Sequence, residues 1–136
     1  MPIFFRILRE QGLVHAWTDG SMSDQDLNAY RARLVANPDF SPDHDQLVEC
    51  LSHAQPTLSR SAITEAALDP IYSSKSRRAI VAASDAAYGL ARMFAALQPE
   101  GSHVQVYRNL PEALAWLGLA SDLIAPTDPA TLTGQR

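Results

Sequence analysis

The sequence feature that most constrains the fold is the apolar run Arg78–Ala83, which reads RAIVAA. After its first residue the run does not alternate with polar side chains, which is typical of a strand covered on both faces. Strands of that kind belong to parallel sheets, whose neighbouring strands need a crossover connection, usually a helix. The run therefore predicts an α/β domain.

The rest of the chain supplies strands and helices in alternation. The first two predicted strands face each other across Gln11-Gly12, which indicates a hairpin. The predicted strands are Ile3–Leu8, Leu13–Thr18, Gln46–Leu51, Arg78–Ala83 and His103–Tyr107. With a helix after each strand from the second onward, the order is ββαβαβαβα. It predicts a mixed, mostly parallel sheet of about five strands.

Each predicted helix begins at a residue that favours helix starts. Ser23 is followed three residues later by Asp26, as in a capping box, and Ser59 and Ser84 or Asp85 can cap the next two helices. Asn109, with Pro111 just inside the helix, starts the last one. We expect a single domain over residues 1–124 and a disordered tail over residues 125–136, which contain few apolar side chains.

Charge argues against a nucleic-acid partner. The chain carries 11 basic and 15 acidic residues, a formal net charge of −4, whereas nucleic-acid binders usually present a basic face. Lys75, Arg77 and Arg78 form the one basic cluster, which we interpret as a solvated turn rather than an anion site. No stretch approaches the roughly 20 apolar residues that a membrane span needs.

Cysteine and histidine placement predicts no disulfide, metal or cofactor. Cys50 is the only cysteine, which suits a reducing, cytoplasmic location, and its predicted strand position suggests a small buried side chain. The apolar run at the N-terminus is too short for a signal peptide. Asp43-His44-Asp45 is the nearest approach to a metal cluster, but neighbouring side chains on an extended segment point to opposite faces.

Several polar residues are candidates for a ligand or partner surface. Ser59 and Ser61 lie at a predicted helix start, where a phosphate would meet free backbone N–H groups, although simple capping is the commoner role. Ser84, Asp85, Tyr88 and Arg92 follow the buried strand. Tyr88 and Arg92 are four residues apart and share a helix face.

Gly89 lies on the same predicted helix as Tyr88 and Arg92. A glycine inside a helix costs about 1 kcal/mol relative to alanine. We expect the compensation to be close approach of the helix to the sheet or to another chain, rather than contact with a ligand.

Two runs carry a family resemblance. Residues 77–94 read RRAIVAASDAAYGLARMF and residues 104–118 read VQVYRNLPEALAWLG. They resemble the bacterial SpoIIAA-like family, small proteins with a STAS-type fold related to anti-sigma-factor antagonists, and the resemblance extends over residues 3–118. It implies a mixed sheet with helices mainly on one face, and ligand or partner binding rather than catalysis.

The same resemblance points to a regulatory serine. In the antagonists a serine at the start of the helix after the third strand is phosphorylated by a partner kinase. The matching region here, His53–Ala62, lacks the Asp-Ser-(Ser/Thr)-Gly motif of that switch, and Ser59 and Ser61 are its positional counterparts.

Three functions remain open from the sequence. The leading hypothesis is a non-enzymatic regulatory or protein-interaction module, expected to form a homodimer because two-fold dimers dominate small soluble oligomers. The alternative is a protein that binds a small ligand, nucleotide or lipid-like, between the helices and the carboxyl ends of the strands. An enzyme is the third, because no nucleophile and base are visible together.

Overall fold

The computed structural model describes residues 3–18, 22–51 and 57–124. Within these residues, five strands form one sheet in the order in which they occur along the chain. The strands are β1 (Phe4–Leu8), β2 (Leu13–Thr18), β3 (Asp45–Cys50), β4 (Arg77–Ala82) and β5 (His103–Tyr107). β1 pairs antiparallel with β2, and all later pairs are parallel.

In the described part of the chain, four helices cover this sheet. They are α1 (Asp24–Ala36), α2 (Arg60–Leu68), α3 (Asp85–Ala96) and α4 (Leu110–Trp116). Crossovers between parallel strands are almost always right-handed, so crossovers that all step in one direction place their helices on the same face. The side covered by α1, α2 and α3 is called here the three-helix face. The side covered by α4 is called the one-helix face.

Each face has its own apolar core. On the three-helix face, Val14 and Ala16 of β2 pack with Tyr30 and Leu34 of α1. On the one-helix face, a larger buried set joins the sheet to α4 and the segment after it. Its members are Leu13, Leu47, Ala79, Val81, Ala113, Leu114, Leu117 and Ile124. Side-chain alternation along the strands separates the two cores.

The predicted architecture is confirmed at the level of an α/β fold with a mostly parallel five-stranded sheet. The strand and helix order differs in one detail, because a 3₁₀ turn, Arg9–Gln11, separates the first two strands. Gly12 ends that turn at φ 59°, a left-handed conformation that glycine adopts without strain. Residues 125–136, predicted to be a disordered tail, lie outside the described residues.

Helix starts were predicted well. Ser23 and Asp26 form the capping box, and Ser59, Ser84 and Asn109 each accept a hydrogen bond from a backbone N–H three residues on. Predicted strand ends differ from the observed ones by a single residue in β3 and β4. Caps are local interactions, so sequence spacing alone identifies them.

The interpretation of the basic cluster as a solvated turn is wrong for two of its three members. Lys75 is exposed, but Arg77 and Arg78 lie on β4. Arg77 donates to the carbonyl oxygens of Trp116 and Leu117 at the end of α4, at 3.1 and 2.8 Å. Arg78 is buried on the three-helix face, with only 4% of its surface exposed.

Candidate functional site

A cavity of about 140 Å³ lies between the three-helix face and the helices above it. Strand alternation turns Val48 of β3 and Ile80 of β4, which are paired in register, toward it. Ile63 of α2 and Phe94 of α3 form part of its wall. Apolar side chains dominate the lining, and polar groups are concentrated at its two ends.

Alanines on the covering helices leave this space unfilled. Ala87 and Ala91, one helical turn apart on α3, line the cavity together with Ala66 of α2. The methyl side chain of alanine is too short to fill the gap between a helix and a sheet. The two pack about 10 Å apart when larger side chains lie between them.

One end of the cavity holds three hydrogen-bonded polar side chains. The amide oxygen of Gln46, at the start of β3, accepts from the hydroxyls of Tyr30 and Tyr72 at 2.7 and 2.9 Å. Burial raises the pKa of both phenols well above the ordinary value, so both stay protonated at neutral pH. Each hydroxyl therefore acts as the donor in its bond to Gln46.

Arg78 lies beside Gln46 in the sheet register and also lines the cavity. Its Nη2 donates to the side-chain oxygen of Gln98 at 2.9 Å, and its guanidinium carbon stands 5.3 Å from the centre of the Tyr72 ring. Its Nε–H is buried and has no acceptor among the described residues. Burial lowers the pKa of Arg78, but arginine remains a cation in proteins.

The other end of the cavity lies at the carboxyl ends of β2 and β3. Thr18 and Cys50 are paired there in register, and both line the cavity. Burial, with a smaller contribution from the charge of Glu49, raises the pKa of the Cys50 thiol to about 11. A thiol with that pKa is protonated at neutral pH and is a weak nucleophile.

Polar contacts join the ends of α1 and α2 beside the cavity. At the start of the two helices, Asp24 accepts from the backbone N–H and the hydroxyl of Ser59, both at 2.7 Å. Near the end of α2, Arg31 donates to the carbonyl oxygen of Asp69. Arg31 lines both the cavity and an open groove outside it, and Val35 and Leu68 on that groove are 56% and 61% exposed.

The structure places the predicted serines on α2, away from the cavity lining. Ser59 caps α2, because its hydroxyl oxygen accepts from the backbone N–H of Ala62 at 3.0 Å. Its bonds to Asp24 lower the pKa of that carboxyl. Ser61 is exposed on the first turn. A phosphate on Ser59 would stand against the Asp24 carboxylate, and phosphorylation at either serine stays a prediction.

The other four predicted residues form a continuous surface on α3. Ser84 caps the helix, accepting from the Ala87 N–H at 3.1 Å. Asp85 accepts from Arg108 at 2.9 Å. The guanidinium groups of Arg108 and Arg92 both lie near the Tyr88 ring, 4.8 and 5.8 Å from its centre. Tyr88 and Arg92 therefore share a helix face, as their spacing predicts.

Gly89, next to Tyr88, does not approach the sheet. A β-carbon built at this position meets no atom within 4 Å. Close approach to the sheet is therefore not the reason for this glycine, and an approach by another chain stays a prediction.

A second polar cluster lies on the one-helix face and is internally satisfied. His15 and Glu49 are both buried, with His15 Nε2 2.6 Å from a Glu49 carboxylate oxygen. Arg6 donates from Nε to His15 Nδ1 at 3.2 Å. An acceptor at Nδ1 specifies the tautomer with the proton on Nε2, which then donates to Glu49.

The polar residues of the cavity were missed by sequence reasoning. Tyr30, Gln46 and Tyr72 are separated by 16 and 26 positions, and their contacts depend on how α1 and the loop before β4 fold over the sheet. One local signal was present. Gln46 and Arg78 are the polar first residues of the predicted strands Gln46–Leu51 and Arg78–Ala83, and side-chain alternation places each on the same face as the apolar residue two positions later.

The chain was compared with family models, with curated proteins and with solved structures, and none of them matches it. Within residues 3–18, 22–51 and 57–124, no three His, Cys, Asp or Glu side chains are grouped so as to hold a metal ion. In that same part of the chain, no helix is both long and apolar enough to cross a membrane.

Proposed function

We propose that this protein binds a small, largely apolar molecule in the cavity beneath α1, α2 and α3, without transforming it. The observation that carries the proposal is an apolar space of about 140 Å³ inside a domain of 136 residues. An engineered protein cavity of about 150 Å³ lined by apolar side chains binds benzene. A ligand with a body of about that size fits here.

Energetics supports a ligand in this space. Empty volume in a protein core lowers the free energy of unfolding by roughly 24 cal/mol per Å³. A cavity of 140 Å³ therefore makes the ligand-free protein about 3 kcal/mol less stable than a protein with a filled core. Because native proteins are stable by only about 5–15 kcal/mol, that is a large fraction. A ligand that fills the space recovers part of it as binding free energy.

The titratable groups around the cavity favour binding over catalysis. Tyr30, Tyr72 and Cys50 all have pKa values raised by burial and are protonated at neutral pH. General base and nucleophilic catalysis need a group that is deprotonated near the working pH. These groups instead donate hydrogen bonds or line the cavity as neutral side chains, as in a binding site.

A thermal-shift screen tests the proposal. The probes are benzene derivatives and short fatty acids, neutral and charged, each at a concentration well above its expected dissociation constant. A ligand at 100 times its dissociation constant stabilises the native state by about 2.7 kcal/mol, which raises the Tm by several degrees. An unchanged Tm across the whole panel would contradict the proposal.

A pair of variants on α3 shows whether a bound ligand occupies the cavity. Ala91→Leu fills the space, so we expect it to abolish the ligand-induced shift while leaving the chain folded. Ala96→Leu makes the same chemical change on the exposed side of the helix end and should leave the shift unchanged. Equal shifts in both variants would place the ligand elsewhere.

A second candidate function is recognition of another protein copy by the α3 surface. Exposed Gly89 has open space around it, and the Tyr88 ring lies near the guanidinium groups of Arg92 and Arg108. Aromatic and arginine side chains are enriched at the centres of interfaces. We propose a homodimer through this face. It agrees with three further proposals, namely a regulatory module, a cytoplasmic location and membership in a STAS-like bacterial family.

Sedimentation equilibrium at micromolar concentration tests the second candidate. We expect the mass of a dimer for the unmodified chain and of a monomer for Tyr88→Ala. A monomer mass for the unmodified chain contradicts the homodimer, and a dimer that survives Tyr88→Ala places its interface elsewhere.

A further inference from the structure

Arg78 is a buried cation that no carboxylate of the described residues neutralises. It is 4% exposed, and its contacts are the amide oxygen of Gln98 and the face of the Tyr72 ring. The ion pairs formed within the described ranges are Arg9–Asp39, His15–Glu49, Arg77–Asp45 and Arg108–Asp85, none of which includes it. A buried charge without a counter-ion is costly, so such groups are normally paired.

The groups that face Arg78 across the cavity are neutral or cationic. Gln46 of β3 and Tyr72 are neutral, Tyr30 of α1 is neutral, and Arg31 of α1 adds a second cation to the lining. Glu49, the buried carboxylate of β3, is bonded to His15 on the opposite face of the sheet. The lining of the cavity therefore carries an excess of positive charge, and the Nε–H of Arg78 is buried without an acceptor among the described residues.

We propose that the ligand of this cavity is a small apolar monocarboxylate whose carboxylate pairs with the guanidinium of Arg78 and accepts from its Nε–H. The inference rests on the proposed function and specifies its ligand class. A single negative charge matches the single buried cation. Arginine pairs well with carboxylates because its planar fork of donors fits the two oxygens.

The sheet register gives the direction of the bound molecule. Arg78 and Gln46 form one pair near the amino ends of their strands, followed by the pairs Val48–Ile80 and Cys50–Ala82. The carboxylate lies at the Arg78 end, and the apolar body runs along the strands toward Cys50. The cavity volume limits that body to about the size of a benzene ring or a short alkyl chain.

The hydroxyls of Tyr30 and Tyr72 set a limit on the charge of the ligand. Both hydrogens are donated to Gln46, so their free lone pairs would repel additional anionic oxygens. A phosphate ester has three such oxygens and up to two charges, so it would bring more anionic oxygen against these lone pairs than a carboxylate does. Phenyl phosphate is therefore the appropriate anionic probe to compare with benzoate.

Calorimetric titration at pH 7 with benzoate and with benzamide, its neutral counterpart of nearly the same shape, tests the inference. A hydrogen-bonded charge pair of this kind predicts about 10-fold to 100-fold tighter binding of benzoate. Equal affinities for the two compounds would overturn the carboxylate inference while leaving the apolar binding function intact. If neither these compounds nor any apolar probe of the thermal-shift screen binds, both proposals fail.

Variants at Arg78 test whether its guanidinium is the group that recognises the charge of the ligand. Arg78→Met keeps a long apolar side chain and removes the buried cation, so we expect a folded chain with a higher Tm and no preference for benzoate over benzamide. Arg78→Lys keeps the charge but removes the fork and should retain only part of the preference. Retention of the full preference by Arg78→Met would overturn the proposal, as would tighter binding of phenyl phosphate than of benzoate by the unmodified chain.

Discussion

The two faces of the sheet differ in what surrounds their buried polar groups. On the one-helix face, His15, Glu49 and Arg6 bond to one another, and the core beneath α4 is filled by large side chains such as Leu114. The Nε1–H of Trp17, next to His15, is buried there without an acceptor among the described residues, but Trp17 does not line the cavity. On the three-helix face, Arg78 keeps an unused donor beside a cavity walled partly by alanines. Satisfied buried groups hold a fold together, whereas an unsatisfied one next to open space marks a place for a ligand.

Removing the carboxylate of the one-helix face should have the largest effect on stability. Glu49→Leu leaves the Nε2–H of buried His15 without its acceptor, so we expect a loss of about 3–5 kcal/mol in the free energy of unfolding. Urea denaturation measures it. Glu65→Leu, the same change at an exposed position of α2, should alter stability by less than about 0.5 kcal/mol. Equal losses in the two variants would show that the buried pair is unimportant.

Truncating one leucine on each face should give unequal losses. Leu114→Ala removes a side chain that is 1% exposed from the filled core, and we expect a cost of about 3 kcal/mol. Leu90→Ala shortens a partly exposed side chain that lines the cavity. Because this side chain already has empty space beside it in the native protein, we expect its truncation to cost about 1 kcal/mol. Equal costs in chemical denaturation would contradict the difference in packing.

Alkylation of Cys50 reports on the cavity end of the three-helix face. With its pKa raised from 9.0 to about 11, the folded thiol at pH 8 is ionised about a hundredfold less than an unperturbed one, so iodoacetamide should react correspondingly more slowly than with the unfolded chain. The rate should rise tenfold per pH unit up to about pH 11. Mass spectrometry follows the single modification, and equal rates in 6 M urea and in buffer would contradict the burial of this thiol.

The same raised pKa has a consequence for stability, with a definite sign. Because the folded thiol holds its proton to higher pH than the unfolded one, its contribution is complete below about pH 9 and is lost as the pH rises toward 11. Cys50→Ala should remove this alkaline part of the stability profile while leaving the neutral part unchanged in shape.

Gly89→Ala should have the smallest effect, and it should be stabilising. The added methyl group meets open space, and alanine favours the helix by about 0.5–1 kcal/mol. Thermal unfolding of the isolated chain should show a rise of a few degrees. Gly12→Ala is the contrasting variant, because its φ of 59° strains any residue with a β-carbon, and it should lower the Tm. A loss of stability in Gly89→Ala would mean that α3 is packed more closely than the structure indicates.

Sequence reasoning worked where the interaction is local. Ser23 caps α1 and Asn109 caps α4 as predicted, because a capping bond joins residues three apart. It was inconsistent for Arg78, which it counted both as the first residue of the buried strand and as part of a solvated basic turn. Charge composition indicates exposure on average, and the pairing of β4 between β3 and β5 decides that this side chain lies in the interior.

The amino-acid sequence by itself determined the alternation of strands and capped helices, since periodicity and caps are properties of neighbouring residues. The tertiary structure decided that Tyr30, Gln46, Tyr72 and Arg78 meet at one end of a cavity, with 26 positions between Gln46 and Tyr72 alone. The physical reason is that a cavity is the space left where distant elements fail to fill the gap between them. The volume of the cavity, and the Arg78 Nε–H that lacks an acceptor among the described residues, arise only when those elements come together.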